Sequence, residues 1–169
     1  KNNIDVTKDS ILGRTNEKYE RGEISTAQFI ESLRKELDLD ITDEEVLEGW
    51  NKIFVGENLG IRDNIDRLVS KYPLYIFSNT SVSHAEFWRN EYSELLKHFQ
   101  KIFTSFELGM RKPEKESFLE VCSQIDVLPE KILFFDDTEE NIVAANDLGM
   151  NAVKVDSIQD ISETIDKLC

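Results

Sequence analysis

Phe134-Phe135-Asp136-Asp137 closes an apolar run that begins at Ile132 and places two adjacent carboxylates directly after it. The run is typical of a buried strand, so the carboxylates are expected at the carboxyl edge of a sheet. Because two anions a few ångströms apart repel each other, such a pair favours a cation between them. Hard oxygen ligands suit Mg²⁺, which usually keeps waters and a substrate phosphate in its shell. The alternative interpretation is a solvated turn before a helix, where Asp is also common.

The overall composition is that of a globular chain with a strongly acidic balance. At 169 residues, of which 40% are hydrophobic, the chain can bury a real core, and its length suggests one domain plus an elaboration. The formal net charge of -14 argues against nucleic acid and anionic membranes as partners. No apolar run approaches the ~20 residues of a membrane span.

The two cysteines indicate a reducing compartment. Cys122 lies on an apolar helical face with Phe118 and Val121, so we expect a buried, reduced thiol, and Cys169 is terminal. Two such cysteines do not make a disulfide framework, which favours a cytoplasmic location.

Helical and strand patterns occupy different parts of the chain. Ser25–Gln28 and Thr42–Glu45 both have capping-box spacing, and helical patterns alone cover the first 55 residues or so. From about residue 60, short apolar runs alternate with helical patterns, which is typical of a parallel sheet covered on both faces. We therefore predict an α/β fold with a small helical module over residues 1–58 and a Rossmann-like core over residues 59–169.

The elements predicted for the core position its polar residues. The strands are Leu74–Phe77, Lys101–Thr104, Ile132–Phe135 and Ala152–Val155, and one long helix is expected from Ser83 to His98. Ligands of such sheets bind beyond the carboxyl ends of the strands.

Polar residues follow two further strands. Ser78-Asn79-Thr80 offers a hydroxyl and backbone N–H donors that suit phosphate oxygens, although these residue types are also common in ordinary turns. Lys112 precedes Pro113, which we place in the first turn of a helix, so its ammonium would be held and aimed. A solvated surface lysine is the alternative for Lys112.

The order of hydroxyl donor, lysine and carboxylate pair resembles motifs two, three and four of the haloacid dehalogenase superfamily. The matching stretches are Ile76–Thr80, Gly109–Pro113 and Phe134–Asp137. Tyr19–Ser25 and Phe87–Tyr92 also resemble segments of bacterial sugar-phosphate phosphatases, closest to the α-D-glucose-1-phosphate phosphatase type. In that family the helical module is a cap over the active site. Its members hydrolyse phosphomonoesters with Mg²⁺ through a phosphoaspartyl enzyme.

This resemblance implies a role for each matching residue. Ser78 and the Asn79 amide would bind the oxygens of the transferring phosphoryl group. Lys112 would offset charge on the nucleophile and on that group, and Asp137 with Asp136 would hold Mg²⁺. The implied partner is a small phosphorylated metabolite, and the oligomeric state is left open.

The first motif of the family, an apolar strand that ends in Asp-x-Asp, has no counterpart ahead of the helical module. Asp38-Leu39-Asp40 matches its letters, but an amphipathic helix precedes it, and Thr42 is better explained as a helix N-cap. Because that strand is central in the family's sheet, its loss would leave two open strand edges. We therefore expect the functional protein to begin roughly 25–35 residues earlier. A continuous four-stranded sheet would contradict this hypothesis.

Other functions are compatible with parts of the pattern. A protein without the nucleophile that keeps only a phosphate pocket is the main alternative. A phosphomutase or a dehalogenase could use the same fold, although a dehalogenase needs no Mg²⁺. A signalling receiver domain also combines an acidic pair, a hydroxyl and a lysine, but there the acidic pair comes first. His84 and His98 have no metal partner at ligand spacing, and we expect both at the surface.

Overall fold

The structure, a computed structural model, describes residues 11–38 and 40–168. The helices are α1 (Ile11–Glu20), α2 (Thr26–Leu37), α3 (Asp43–Asn51), α4 (Ile61–Val69), α5 (Val82–Glu91), α6 (Ser93–Leu96), α7 (Ser105–Leu108), α8 (Lys115–Ile125), α9 (Glu139–Asp147) and α10 (Ile158–Leu168). The strands are β1 (Tyr75–Ser78), β2 (Lys101–Thr104), β3 (Leu133–Asp136) and β4 (Asn151–Lys154), and a 3₁₀ turn covers Pro129–Lys131. This alternation of helices and strands confirms the predicted α/β fold class.

Both predicted capping boxes are present. The Ser25 backbone N–H donates to Gln28 Oε1 at 2.9 Å, and the Ser25 hydroxyl accepts from the Gln28 N–H. Thr42 and Glu45 repeat this arrangement at the start of α3. Asp38 is the C-cap of α2, in the left-handed conformation with φ 51°. Asp38 and Thr42 are thus the caps of two successive helices, as predicted, and Leu39 lies outside the described residues.

Two helix predictions were wrong. The expected long helix from Ser83 to His98 is divided into α5 and α6, because Tyr92 leaves the helical conformation (φ -105°, ψ 23°). The helix expected to begin at Pro113 starts at Lys115, and its N-cap residue Glu114 has an extended backbone. Local apolar spacing gave the faces of these helices but not their ends, where backbone conformation and capping decide.

Two compact units are present, and their segments interleave along the chain. One comprises the described part of Lys1–Val55 with Ser78–Ser93 and Thr104–Arg111, and the other comprises Gly56–Phe77, Glu94–Phe103 and the described part of Lys112–Cys169. The first unit thus contains the helical module together with the segments that follow β1 and β2. The domain division into residues 1–58 and 59–169 stays a prediction.

Tyr19 lies at the centre of the first unit and is fully buried. Its ring stacks on Phe29 with centroids 4.4 Å apart. Its hydroxyl lies 2.8 Å from Thr26 Oγ1, donates to Ser83 Oγ at 3.0 Å and accepts from the Ser83 N–H at 3.2 Å. The surrounding core consists of Phe29, Ile30, Leu33 and Val46. One phenol thus holds α1, α2 and α5 together.

The prediction that His84 lies at the surface was wrong, because its side chain is only 8% exposed. The imidazole stacks on Trp50 at 4.8 Å, its Nε2 lies 3.1 Å from the Trp50 carbonyl oxygen, and Phe54 meets it edge-on. Burial lowers the pKa of His84. The aromatic partners lie 30 and 34 residues away in the chain, so no local pattern indicates this packing.

Phe118 on α8 organises the core of the second unit. Its ring meets those of Phe77 on β1 and Phe134 on β3 edge-on, at 5.5 Å in each case. Cys122, one turn further along α8, is buried and free, as predicted, and burial raises the pKa of its thiol. The same core includes Ala145 and Met150.

The strands pair as two separate two-stranded sheets, β1 with β2 and β3 with β4. The β3–β4 pair is parallel, with Leu133 opposite Asn151 and Asp136 opposite Lys154. Residues 11–38 and 40–168 form no continuous four-stranded sheet, the arrangement that would have contradicted an absent central strand. That hypothesis stays a prediction.

We predict that Tyr19→Phe lowers the free energy of unfolding by about 1–3 kcal/mol, since it leaves the half-buried Thr26 hydroxyl and the buried Ser83 groups without the phenol oxygen. Urea denaturation measures this loss. The matched control is Tyr75→Phe, which removes an exposed hydroxyl bonded to Gln100. Equal losses in the two variants would contradict a structural role for the buried phenol.

Candidate active site

Lys112 is buried at the strand ends of the second unit, with 7% of its surface exposed. It follows Gly109, whose left-handed backbone (φ 69°) ends α7. The ammonium Nζ donates to Asp136 Oδ2 at 2.6 Å and to the Phe77 carbonyl oxygen at 2.8 Å. It also lies 5.1 Å from the Phe77 ring centroid and 5.4 Å from that of Phe134. The side chain therefore links the end of β1 to the end of β3.

Asp136 is the buried anion that pairs with Lys112. Its Oδ1 accepts from the Thr138 N–H and from Asn141 Nδ2, each at 2.9 Å. Burial alone would raise the pKa of this carboxyl, but the charge of Lys112 and the hydrogen bonds from Lys112, Asn141 and Thr138 outweigh it, so the pKa is lowered. Asp136 is therefore held as a carboxylate. Asn141 was not predicted as a partner of Asp136, although its place in the first turn of α9 puts it within reach of the preceding strand end.

Asp137 lies one residue beyond β3 and is exposed. The Thr138 hydroxyl lies 3.4 Å from Asp137 Oδ1, which is a long contact. The two adjacent carboxylates therefore occupy different environments. Asp136 is buried and paired with the Lys112 ammonium, whereas Asp137 is exposed to solvent.

Ser78 and Asn79 lie at the end of β1 and are half-buried. The Ser78 hydroxyl is 3.5 Å from the Asn79 carbonyl oxygen, at the outer limit for a hydrogen bond. The next residue, Thr80, is 4% exposed, and its backbone N–H and C=O both bond to the Ser105 hydroxyl. Trp88 Nε1 donates to the Thr80 hydroxyl at 3.3 Å. The sequence analysis missed Ser105 and Trp88.

Arg111, which directly precedes Lys112, is anchored on α1. Its Nε donates to Glu20 at 2.9 Å, and its guanidinium also reaches Glu17 at 3.3 Å. The turn after α1 approaches the same segment, because a Cβ added to Gly22 would lie 2.7 Å from the Phe106 carbonyl oxygen. Gly22 also has a positive φ of 69°, so this turn requires glycine on both counts.

The structure brings Lys112 and Asp136 into direct contact, with Asp137 next in the chain. Ser78 and Asn79 belong to the other compact unit. The catalytic and metal-binding roles of these five residues stay predictions.

The sequence of residues 7–149 matches the family model of haloacid dehalogenase-like hydrolases. The chain belongs to this family. It is similar to the D-ribitol-5-phosphate phosphatase of Bacteroides thetaiotaomicron, at 29% identity over 79% of this chain and 67% of the relative. It is also similar to the phosphorylated carbohydrates phosphatase of Thermotoga maritima, at 24% identity over 74% of this chain and 59% of the relative. The chain thus spans about two thirds of these relatives.

A solved structure of a haloacid dehalogenase family enzyme from Bacteroides thetaiotaomicron, in complex with magnesium and inorganic phosphate, has the same fold. The TM-score is 0.75 at 28% identity, over 88% of this chain and 75% of that chain. The fold class and the hydrolase family implied by motifs two to four are therefore confirmed. The likeness to the glucose-1-phosphate phosphatase type stays a prediction.

We predict that Lys112→Met lowers the free energy of unfolding by about 3–5 kcal/mol, because it leaves the Asp136 carboxylate buried without its cation. Urea denaturation at neutral pH measures this loss. Lys101→Met is the control, since Lys101 is exposed and bonds to the neutral side chain of Gln124. The double variant Lys112→Met/Asp136→Leu should recover part of the loss. A double variant less stable than Lys112→Met would contradict this account.

The lowered pKa of Asp136 predicts a specific acid sensitivity. A carboxyl whose folded-state pKa lies below its ordinary value of 3.8 stabilises the fold above that pH, and this contribution is lost as the pH falls through the folded-state pKa. We expect the stability difference between wild type and Asp136→Asn to be constant above about pH 5 and to shrink in more acidic solution. Denaturation curves across this range measure it. The same pH dependence for the exposed neighbour, in Asp137→Asn, would exclude the assignment to Asp136.

Proposed function

We propose that the protein is a Mg²⁺-dependent phosphatase that acts on a small phosphomonoester of the sugar-phosphate class. The observation that carries the proposal is the buried Lys112–Asp136 pair beside the exposed Asp137 carboxylate at the end of β3. The named activities of the Bacteroides and Thermotoga relatives, on ribitol 5-phosphate and phosphorylated carbohydrates, support the substrate class. Glucose 1-phosphate is one candidate within it.

The acidic residues at this strand end fit a magnesium ion. Mg²⁺ is usually bound through one or two carboxylates, with waters and substrate phosphate completing its shell. Among the described residues, no group of three or more His, Cys, Asp or Glu side chains could hold a metal ion. Asp137 would be the direct ligand. Asp136 could add only through Oδ2, because its Oδ1 already accepts two hydrogen bonds. The ion would offset charge on the phosphoryl oxygens during transfer.

The remaining residues would bind and orient the phosphoryl group. Ser78 would donate its hydroxyl, and the Asn79 amide its N–H, to phosphoryl oxygens. Lys112 would supply positive charge that is fixed before the substrate binds, because Asp136 and the Phe77 carbonyl oxygen hold its ammonium. Such preorganised charge is the main source of catalysis in phosphoryl transfer.

We further propose that the reaction passes through a phosphoaspartyl enzyme. An Asp carboxylate outside residues 1–169 would attack phosphorus, and a second Asp outside these residues would donate a proton to the substrate's alcohol oxygen as it leaves. The second Asp would then take a proton from water, which would hydrolyse the acyl phosphate and release orthophosphate. Phosphate binding without turnover by the complete protein would favour the alternative, a phosphate-binding member of the family. Transfer of the phosphoryl group back to a sugar would favour a phosphomutase, and release of halide from a haloacid would favour a dehalogenase.

We also propose a cytoplasmic location. The buried, free thiol of Cys122 supports it, because unpaired buried cysteines persist in reducing compartments. Among the described residues, no helix has both the length and the apolar character that a membrane span requires.

The test is hydrolysis of a panel of sugar phosphates by the purified protein, with Mg²⁺ and with a chelator. We expect Mg²⁺-dependent release of orthophosphate, and we expect Asp137→Asn to lower kcat/KM by about 10²-fold. Glu139→Gln is the matched control, since it removes the same charge from an exposed residue in the first turn of α9. Activity that survives both the chelator and Asp137→Asn would refute the metal assignment.

A further inference from the structure

Ser105 makes an unusual pair of contacts with one residue of the neighbouring loop. It is the first residue of α7, directly after β2, and it is fully buried. Its hydroxyl accepts from the Thr80 backbone N–H at 2.9 Å and donates to the Thr80 carbonyl oxygen at 3.0 Å. A single side chain thus satisfies both backbone groups of Thr80.

The Ser105 hydroxyl supplies the backbone hydrogen bonds that β1 does not supply to Thr80. β1 ends at Ser78, so Thr80 lies beyond the hydrogen bonds of the strand, yet it is almost fully buried. Buried backbone groups require partners, and an unpaired one is costly. The Thr80 hydroxyl is held as well, by the indole N–H of Trp88 at 3.3 Å. Three polar atoms of Thr80 are therefore fixed by side chains from other segments of the same compact unit.

Ser78 and Asn79 are the donors proposed for the phosphoryl group. Ser78 is the last residue of β1, and Asn79 directly precedes Thr80. Donors of this kind work only when they are held to within a fraction of an ångström. We propose that Ser105 is a positioning residue for the phosphate-binding loop, acting through the backbone of Thr80 without touching the substrate. The expected effect of Ser105 on phosphate binding rests on the proposed function. Its expected effect on the conformation of the loop does not.

The first test is amide hydrogen exchange at Thr80 in the full chain. Ser105→Ala should speed exchange of the Thr80 N–H about tenfold or more, because loss of a net hydrogen bond of this strength shifts local opening by that factor. Ser117→Ala is the matched control. Ser117 is equally buried, and its hydroxyl donates to the Glu114 carbonyl oxygen of its own segment at 2.7 Å. Unchanged Thr80 exchange in Ser105→Ala would overturn the inference.

The second test separates positioning from general destabilisation. We expect Ser105→Ala to raise the KM for substrate and the inhibition constant of orthophosphate about tenfold, the equivalent of roughly one hydrogen bond. Ser105→Thr, which keeps the hydroxyl, should restore most of the affinity, and Ser117→Ala should leave it unchanged. An equal loss of phosphate affinity in Ser117→Ala, or no rescue by Ser105→Thr, would overturn the inference.

The two proposals can fail separately. If the wild-type protein neither hydrolyses phosphomonoesters nor binds orthophosphate, the proposed function fails, and Thr80 exchange still decides whether Ser105 fixes the loop. If the wild type is active and Ser105→Ala keeps the wild-type KM and inhibition constant, the proposed function stands and the positioning role is refuted.

Discussion

The contact between the Lys112 ammonium and the Asp136 carboxylate imposes conditions on much of the second unit. Removing two charges from water costs several kcal/mol for each ion, and their attraction offsets this only when further hydrogen bonds satisfy both groups. The Phe77 carbonyl oxygen on β1 supplies such a bond to the lysine, and the Thr138 N–H and Asn141 amide supply them to the carboxylate. The ends of β1 and β3 and the start of α9 must therefore come together for the pair to be tolerated.

The same condition explains how apolar and polar packing cooperate there. Phe118 packs edge-on against Phe77 and Phe134, and these two rings also flank the Lys112 ammonium. The rings exclude water from the ion pair, which strengthens its attraction, and their faces favour a cation. Apolar packing thus fixes the geometry of the charges. The pair makes that packing specific, because a shifted strand would leave a buried charge without its partner.

The sequence predicted those parts of the molecule that depend on neighbouring residues in the chain. Capping boxes, the apolar run before Asp136 and the family motifs are all local patterns, and the starts of α2 and α3, the α/β class and the family followed from them. The burial of His84 did not, because its partners Trp50 and Phe54 come from a distant segment of the chain. Ser105 was missed for the same reason: its contact with Thr80 spans 25 residues, and a serine after a strand has no local signature.

The adjacent carboxylates Asp136 and Asp137 show how one dipeptide can provide two different chemical groups. Asp136 is the last residue of β3 and is buried, whereas Asp137 lies one residue beyond the strand and is exposed. Asp136 points inward, where three donors hold it ionised. Asp137 stays in solvent, where its oxygens can exchange water for a cation. If both were buried, their repulsion would protonate one of them, and if both were exposed, Lys112 would lose the anion that holds it. The local pattern Asp-Asp predicts the two carboxylates, but it does not predict which of them is buried against Lys112.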